Sequence, residues 1–163
     1  MILFYSFALQ ASLDLGTDRF SFGFGGTGKK SNNKNFDDYG EAFGKSDVIG
    51  CCLDLDQFQI FFLKNGVNLG QAFSIPVPLR SEIFYPAVVL KNAEMQFNFG
   101  DEKFKHNPPN GFTPISQTPA NNFKVNSIGS IPADQEKPKH LPNAPYAIII
   151  EVNQLNLVSQ LFD

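Results

Sequence analysis

The stretch from Asp47 to Phe73 constrains this chain more than any other. Within it Ile49, Cys51, Leu53 and Leu55 recur at every second position, the spacing of a strand with one face on a core. A denser apolar run, Gln59 to Lys64, stops at Asn65-Gly66. Asn-Gly is the strongest short signal for a hairpin, because a type I′ turn needs φ > 0 at both central residues. Asp54 to Gln57 reads as a second turn. The segment therefore predicts strand, tight turn, strand, Asn-Gly turn, short strand.

The same grammar extends on both sides. Met95, Phe97 and Phe99 alternate with Glu94, Gln96 and Asn98, as in a half-buried strand. Phe84 to Leu90 predicts another, with Pro86 suited to an edge or a strand start. No convincing helical period occurs before about residue 100. Eighteen Phe and four Tyr in 163 residues add weight, since aromatic side chains fit pleated surfaces. Short strands with frequent turns predict an all-β antiparallel sandwich. Met1 to Ala11 superficially resembles the apolar core of a signal peptide, but it lacks a basic flank and reads as a strand entering the sandwich. No apolar run approaches a membrane span.

Composition changes near Lys105, where Pro, Asn, Ser and Lys become frequent. Phe112 and Ile115 are expected to pack back on the sandwich, and Asn121 to His140 reads as a linker. Ala147 to Glu151 is a continuous apolar run of the kind found in buried parallel strands, and Leu155 to Phe162 suits a helix start. The expected division is a sandwich over 1–117, a linker over 118–144 and the start of a different unit over 145–163.

Little in the chain offers catalytic chemistry. A net charge of −3 excludes a domain-wide affinity for nucleic acid. Cys51 and Cys52 are adjacent, point to opposite faces of a strand, and are not expected to close a bridge; with no other cysteine present, a reducing compartment is implied. Gly23 to Lys30, GFGGTGKK, comes close to a phosphate-binding P-loop, but Lys30 occupies the position of the required Ser or Thr. Ser31 to Asn35 make a poor helix start, so the loop reads as part of the sandwich. His106 and His140 read as exposed loop residues, and neither has a ligand partner at metal spacing. The acid pairs Asp37/Asp38, Asp54/Asp56 and Asp101/Glu102 are assigned to turns. Lys29, Lys30 and Lys34 concentrate positive charge with no intervening acid, making them a candidate contact for phosphate or an acidic peptide. Tyr39 and Phe43 stand nearby as an aromatic anchor or as core.

Three motifs in order resemble the SPRY family. They are Asp47-Val48-Ile49-Gly50-Cys51-Cys52-Leu53-Asp54, Lys64-Asn65-Gly66, and Leu69-Gly70-Gln71-Ala72-Phe73. Phe84-Tyr85-Pro86-Ala87-Val88 and Phe97-Asn98-Phe99-Gly100 are similar to the family's closing strands. The resemblance implies a bent antiparallel sandwich whose surface loops bind partner proteins. It makes Asp47, Gly50, Asp54, Asn65, Gly66, Gly70, Pro86 and Gly100 structural positions, and leaves Lys29, Lys30, Lys34 and Tyr39 as the candidate interaction surface.

A narrower resemblance, carried by Gln10 to Asp18, Phe22 to Ser31 and Leu90 to Glu94, is to the SPRY domain inserted in one subfamily of DEAD-box RNA helicases. Leu141-Pro142-Asn143-Ala144-Pro145 and Ala147 to Glu151 resemble the return into the first RecA-like domain of such a helicase. Family sandwiches begin several strands before Gln10, and Met1 to Leu9 can supply at most one of them. Exposed apolar surface or an unpaired edge is expected there. The helicase motif expected after residue 151 has no Pro, Arg or Glu counterpart in Val152 to Val158, and neither an Asp-Glu-Ala-Asp nor a Ser-Ala-Thr motif occurs. Phosphoryl transfer needs a phosphate cradle and a metal-holding acid. The resemblance therefore implies a non-catalytic interaction module of an ATP-dependent RNA helicase, nuclear or cytoplasmic. ATP and Mg belong to the parent enzyme, and protein or ribonucleoprotein are the implied partners, with no membrane role and no feature that points to DNA.

Overall fold

The computed structural model describes residues 2–5, 16–90, 93–118 and 147–157. Nearly every element is a strand. The first sheet contains β1 (Ile2–Tyr5), β2 (Ser21–Phe24), β3 (Lys29–Asn32), β4 (Asn35–Asp38) and β8 (Tyr85–Val88), in the order β4-β3-β2-β1-β8. The second contains β5 (Val48–Asp54), β6 (Gln59–Lys64), β7 (Val67–Ser74), β9 (Ala93–Asn98), β10 (Thr113–Pro114) and β11 (Ala147–Leu157). Its order is β10-β11-β5-β6-β7, with β9 also paired to β11. All pairings are antiparallel except β10 with β11.

The expected all-β sandwich is present, and its core is aromatic. Phe22 and Phe24 of β2 pack with Ile49, Cys51, Leu53, Ile60 and Phe62 of the opposite sheet. The Phe24 ring lies 5.1 Å from Phe62, 5.0 Å from Phe43 and 5.4 Å from Tyr39. Such ring pairs add about 0.5–1.5 kcal/mol each beyond the area they bury. Phe43 is therefore core.

The Asp47–Phe73 segment folds as its sequence predicts. Asn65 and Gly66 have φ of 50° and 82°, the two positive values of a type I′ turn. The Asp54 carboxylate accepts from the amides of Asp56 at 3.0 Å and Gln57 at 2.8 Å, closing the other turn. Pro86 lies on β8, an edge strand of the first sheet, where a missing N–H is tolerated. Of Met1–Leu9, the described residues Ile2–Tyr5 form β1, which lies between β2 and β8.

Two expectations need correction. β5 is buried on both faces, not one: Cys51 points into the main core, while Cys52 joins Leu63 and Phe104 in a second cluster. The chain after β9 folds back over that outer face. Phe112 seats edge-on against Phe61 at 5.2 Å, and Ile115 reaches the main core. The apolar run at Ala147 is parallel only to the two-residue β10, and Leu155 to Leu157, where a helix start was expected, are strand; the rest of that expected helix lies outside the described residues. β11 runs through Leu157 and inserts antiparallel between β5 and β9, pairing Ile148 with Leu53, Ile150 with Cys51 and Val152 with both Ile49 and Phe97. A run of Ile and Val suits any buried strand, so the sequence does not say which sheet receives it. Here β5 presents an open edge of backbone donors and acceptors, and β11 satisfies them.

Register places Phe97 on the same face as Ile49, yet Phe97 is 37% and Phe99 36% exposed. Their rings stack at 6.0 Å with 8° between planes. The two rings form a small exposed apolar patch on β9 and the turn after it.

Candidate interaction surface

The glycine-rich stretch from Gly23 to Lys30 joins two antiparallel strands and opens no helix. Its polar backbone groups are turned inward on the protein. The Gly25 amide donates to the Lys29 carbonyl at 2.9 Å, and the Gly28 amide donates to the Gly25 carbonyl at 3.0 Å. The Gly28 carbonyl accepts from the amides of Tyr39 and Gly40 at 3.2 and 2.9 Å. A Cβ at Gly28 would meet the Gly40 carbonyl at 2.6 Å, so only glycine lets these segments approach. A phosphate cradle instead presents its amides outward at a helix start.

The three lysines do not form one patch. Lys29 pairs across the strands with Asp38, which holds the Asp38 carboxyl below its usual range through a hydrogen bond and the ammonium charge. Lys30 alternates to the other face. Its Nζ donates to the Ala72 carbonyl at 2.8 Å and lies over the rings of Phe73 and Tyr39, at 5.5 and 5.9 Å. Lys34 stands in the exposed β3–β4 turn with φ of 64°. Asp37 and Asp38, assigned to a turn on sequence, are strand residues of β4.

Tyr39 is a bridge between sheets. Its hydroxyl donates to the Gly70 carbonyl and accepts from the Phe62 amide. Burial is the main cause that pushes its phenol up to about 12. Lys30 and Tyr39 thus occupy two carbonyls of β7, an edge strand of the second sheet.

The motif residues Asp47 and Asn65 form one unit. The Asn65 side-chain carbonyl accepts from the Val48 amide at 2.9 Å, and its Nδ2 donates to Asp47 at 2.7 Å. Asp47 also accepts from the Gly44 amide at 2.9 Å. The Asn65 bond, then the Gly44 bond, hold the Asp47 carboxyl below its usual range. Gly50 lies in β5 opposite Leu63, and Gly100 sits directly against Pro114.

His106 is not the exposed loop residue expected. It is half-buried with its ring over Gly66. His140 lies outside the described residues. Among the described residues no three His, Cys, Asp or Glu side chains stand together as a metal site. The two cysteines are free thiols, and burial raises both out of the thiolate range.

The β3–β4 hairpin is the part of this region that faces outward. Every residue from Asn33 to Asp38 is exposed, including Phe36 at 54%. β4 is also one of the two edges of the first sheet among the described residues. Sequence reasoning missed Phe36, although a lone aromatic amid Asn33-Lys34-Asn35 and Asp37-Asp38 was a usable signal.

Residues 5–102 match the SPRY domain family, and the chain belongs to it. Among curated proteins it is similar to "ATP-dependent RNA helicase Ddx1" of Drosophila melanogaster, 61% identical over 142 residues, covering 87% of this chain and 20% of that protein. It is also similar to "ATP-dependent RNA helicase DDX1" of Xenopus laevis, 54% identical over 88% of the chain and 19% of that protein. A more distant relative is "Heterogeneous nuclear ribonucleoprotein U-like protein 2" of Mus musculus, 40% identical over 58% of the chain and 13% of that protein. The chain spans about a fifth of the length of the two helicases it matches.

Proposed function

We propose that this SPRY sandwich is a protein-interaction module of an ATP-dependent RNA helicase, making contacts with a protein or ribonucleoprotein partner. The observation that carries this reading is the β3–β4 hairpin, where Phe36, Lys34 and Asp37 are all exposed at an edge of the sheet formed by the described residues. An exposed aromatic beside charges of both signs is the make-up of an interface anchor with a polar rim. In this reading the module carries no catalytic group and no cofactor of its own. ATP and Mg are bound by the helicase motifs of the parent protein, in the nucleus or cytoplasm. The helicase and ribonucleoprotein names of the relatives support RNA metabolism as the setting.

The test is affinity capture from extract with the wild type and with a Lys34→Glu, Phe36→Ser double variant. Loss of specific partners with an unchanged circular dichroism spectrum is expected. A partner set unaltered by the double variant would remove the hairpin from the interface.

A further inference from the structure

The chain contains two Asn-Gly pairs, Asn65-Gly66 and Asn110-Gly111, and their environments are opposite. In both, the next residue has no side chain to hinder its own amide nitrogen from reaching the Asn carboxamide. In Asn65 that carboxamide is held at both ends, by the Val48 amide at 2.9 Å and by Asp47 at 2.7 Å. The His106 ring also packs on Gly66. The side chain cannot turn toward the Gly66 nitrogen without breaking both bonds, which tie the turn to the start of β5.

Asn110 has none of this. It occupies an exposed turn in which the Phe112 amide donates to the Pro109 carbonyl at 3.1 Å, with Gly111 at φ of 86°. No hydrogen bond from a described residue holds its carboxamide, and nothing stands within 4 Å of where a Gly111 Cβ would be. We propose that Asn110 is a site of spontaneous modification in the folded protein, deamidating through a cyclic imide, while the chemically equivalent Asn65 is protected by the fold.

The step is closed in atoms and electrons. The Gly111 nitrogen attacks Asn110 Cγ, forming N–Cγ and breaking Cγ–Nδ2. Nδ2 leaves as ammonia, taking the proton from the Gly111 nitrogen. Water then opens the imide, giving Asp or β-linked isoaspartate at position 110, with no oxidation or reduction. The product matters because Phe112, two residues on, seats against Phe61 over the second core cluster. A charge and an extra backbone methylene enter close to that anchor.

The experiment incubates the intact chain at mildly alkaline pH and follows both peptides by mass spectrometry, with a urea-unfolded sample as reference. Unfolded, the two sites should react at similar rates. Folded, Asn110 should react at least about tenfold faster than Asn65, the factor that corresponds to a local opening cost of roughly 1.4 kcal/mol. Asp47→Ala, which frees Nδ2 of Asn65, should narrow the gap. Equal folded rates, or an Asn110 slowed by folding as much as Asn65, would overturn the proposal.

Discussion

The hydroxyl of Tyr39 donates to the Gly70 carbonyl at 2.6 Å, joining the end of the β3–β4 hairpin to the edge of the other sheet. The pairing of β6 with β7 slips between Phe61 and Leu63, so Phe62 has no ladder partner there. Its amide donates to the same hydroxyl at 3.1 Å. One phenol thus closes the gap that an irregularity in register opens.

Tyr39→Phe keeps the ring contacts and strands the amide of buried Phe62, while the exposed Gly70 carbonyl turns to water. It should cost about 1–3 kcal/mol, as for a buried polar group left unsatisfied. Urea denaturation checks this. The phenol is raised above its ordinary value of 10.0 to about 12, so its neutral form is the stabilising one. The difference between wild type and variant should hold below pH 10 and disappear as pH rises toward 12.

Asp47 has the opposite sign. Its carboxyl is lowered from 3.8 by the Asn65 and Gly44 bonds, so its contribution is present above that value and lost as pH falls through the lower folded value. Urea midpoints of wild type and Asp47→Ala should differ at neutral pH and converge in acid. A pH-independent gap would contradict this account.

Cys51 and Cys52 should resist a thiol reagent in the native chain. Both are buried, and burial disfavours the thiolate that would react. Labelling should track unfolding, with two thiols per chain appearing together in denaturant.

Val152 is paired on both sides, with Ile49 and with Phe97. Val152→Pro removes an N–H from the middle of a sheet and should lower stability by at least about 1–3 kcal/mol. No change in the thermal midpoint would mean that β11 does not stabilise the sandwich.

Phe97 and Phe99 should bind an environment-sensitive dye such as ANS in the native state, with a broad thermal transition. Replacing both by Ser should reduce the fluorescence. A sharp melt without dye binding would contradict the exposure of these rings.

Much of this fold was legible in local chemistry. The Asn65-Gly66 turn, the Asp54 turn and the alternating strands are decided within a few residues, because positive φ and period two are local requirements. The ordered motifs from Asp47 to Phe73 were enough to place the chain in its family. Local sequence could not say where side chains meet across the sandwich. It grouped Lys29, Lys30 and Lys34 as one basic patch, whereas strand alternation and two different partners send Lys29 to Asp38 and Lys30 to the Ala72 carbonyl. It offered Tyr39 as an anchor for a partner, whereas a slip in the β6–β7 ladder makes it a bridge. It showed β11 to be a strand but not that β5 would receive it, since the free edge lies about a hundred residues away in the chain. Turns and periodicity are properties of neighbouring residues, while pairing, burial and the loss of a charge to an internal partner arise only when distant segments share a surface.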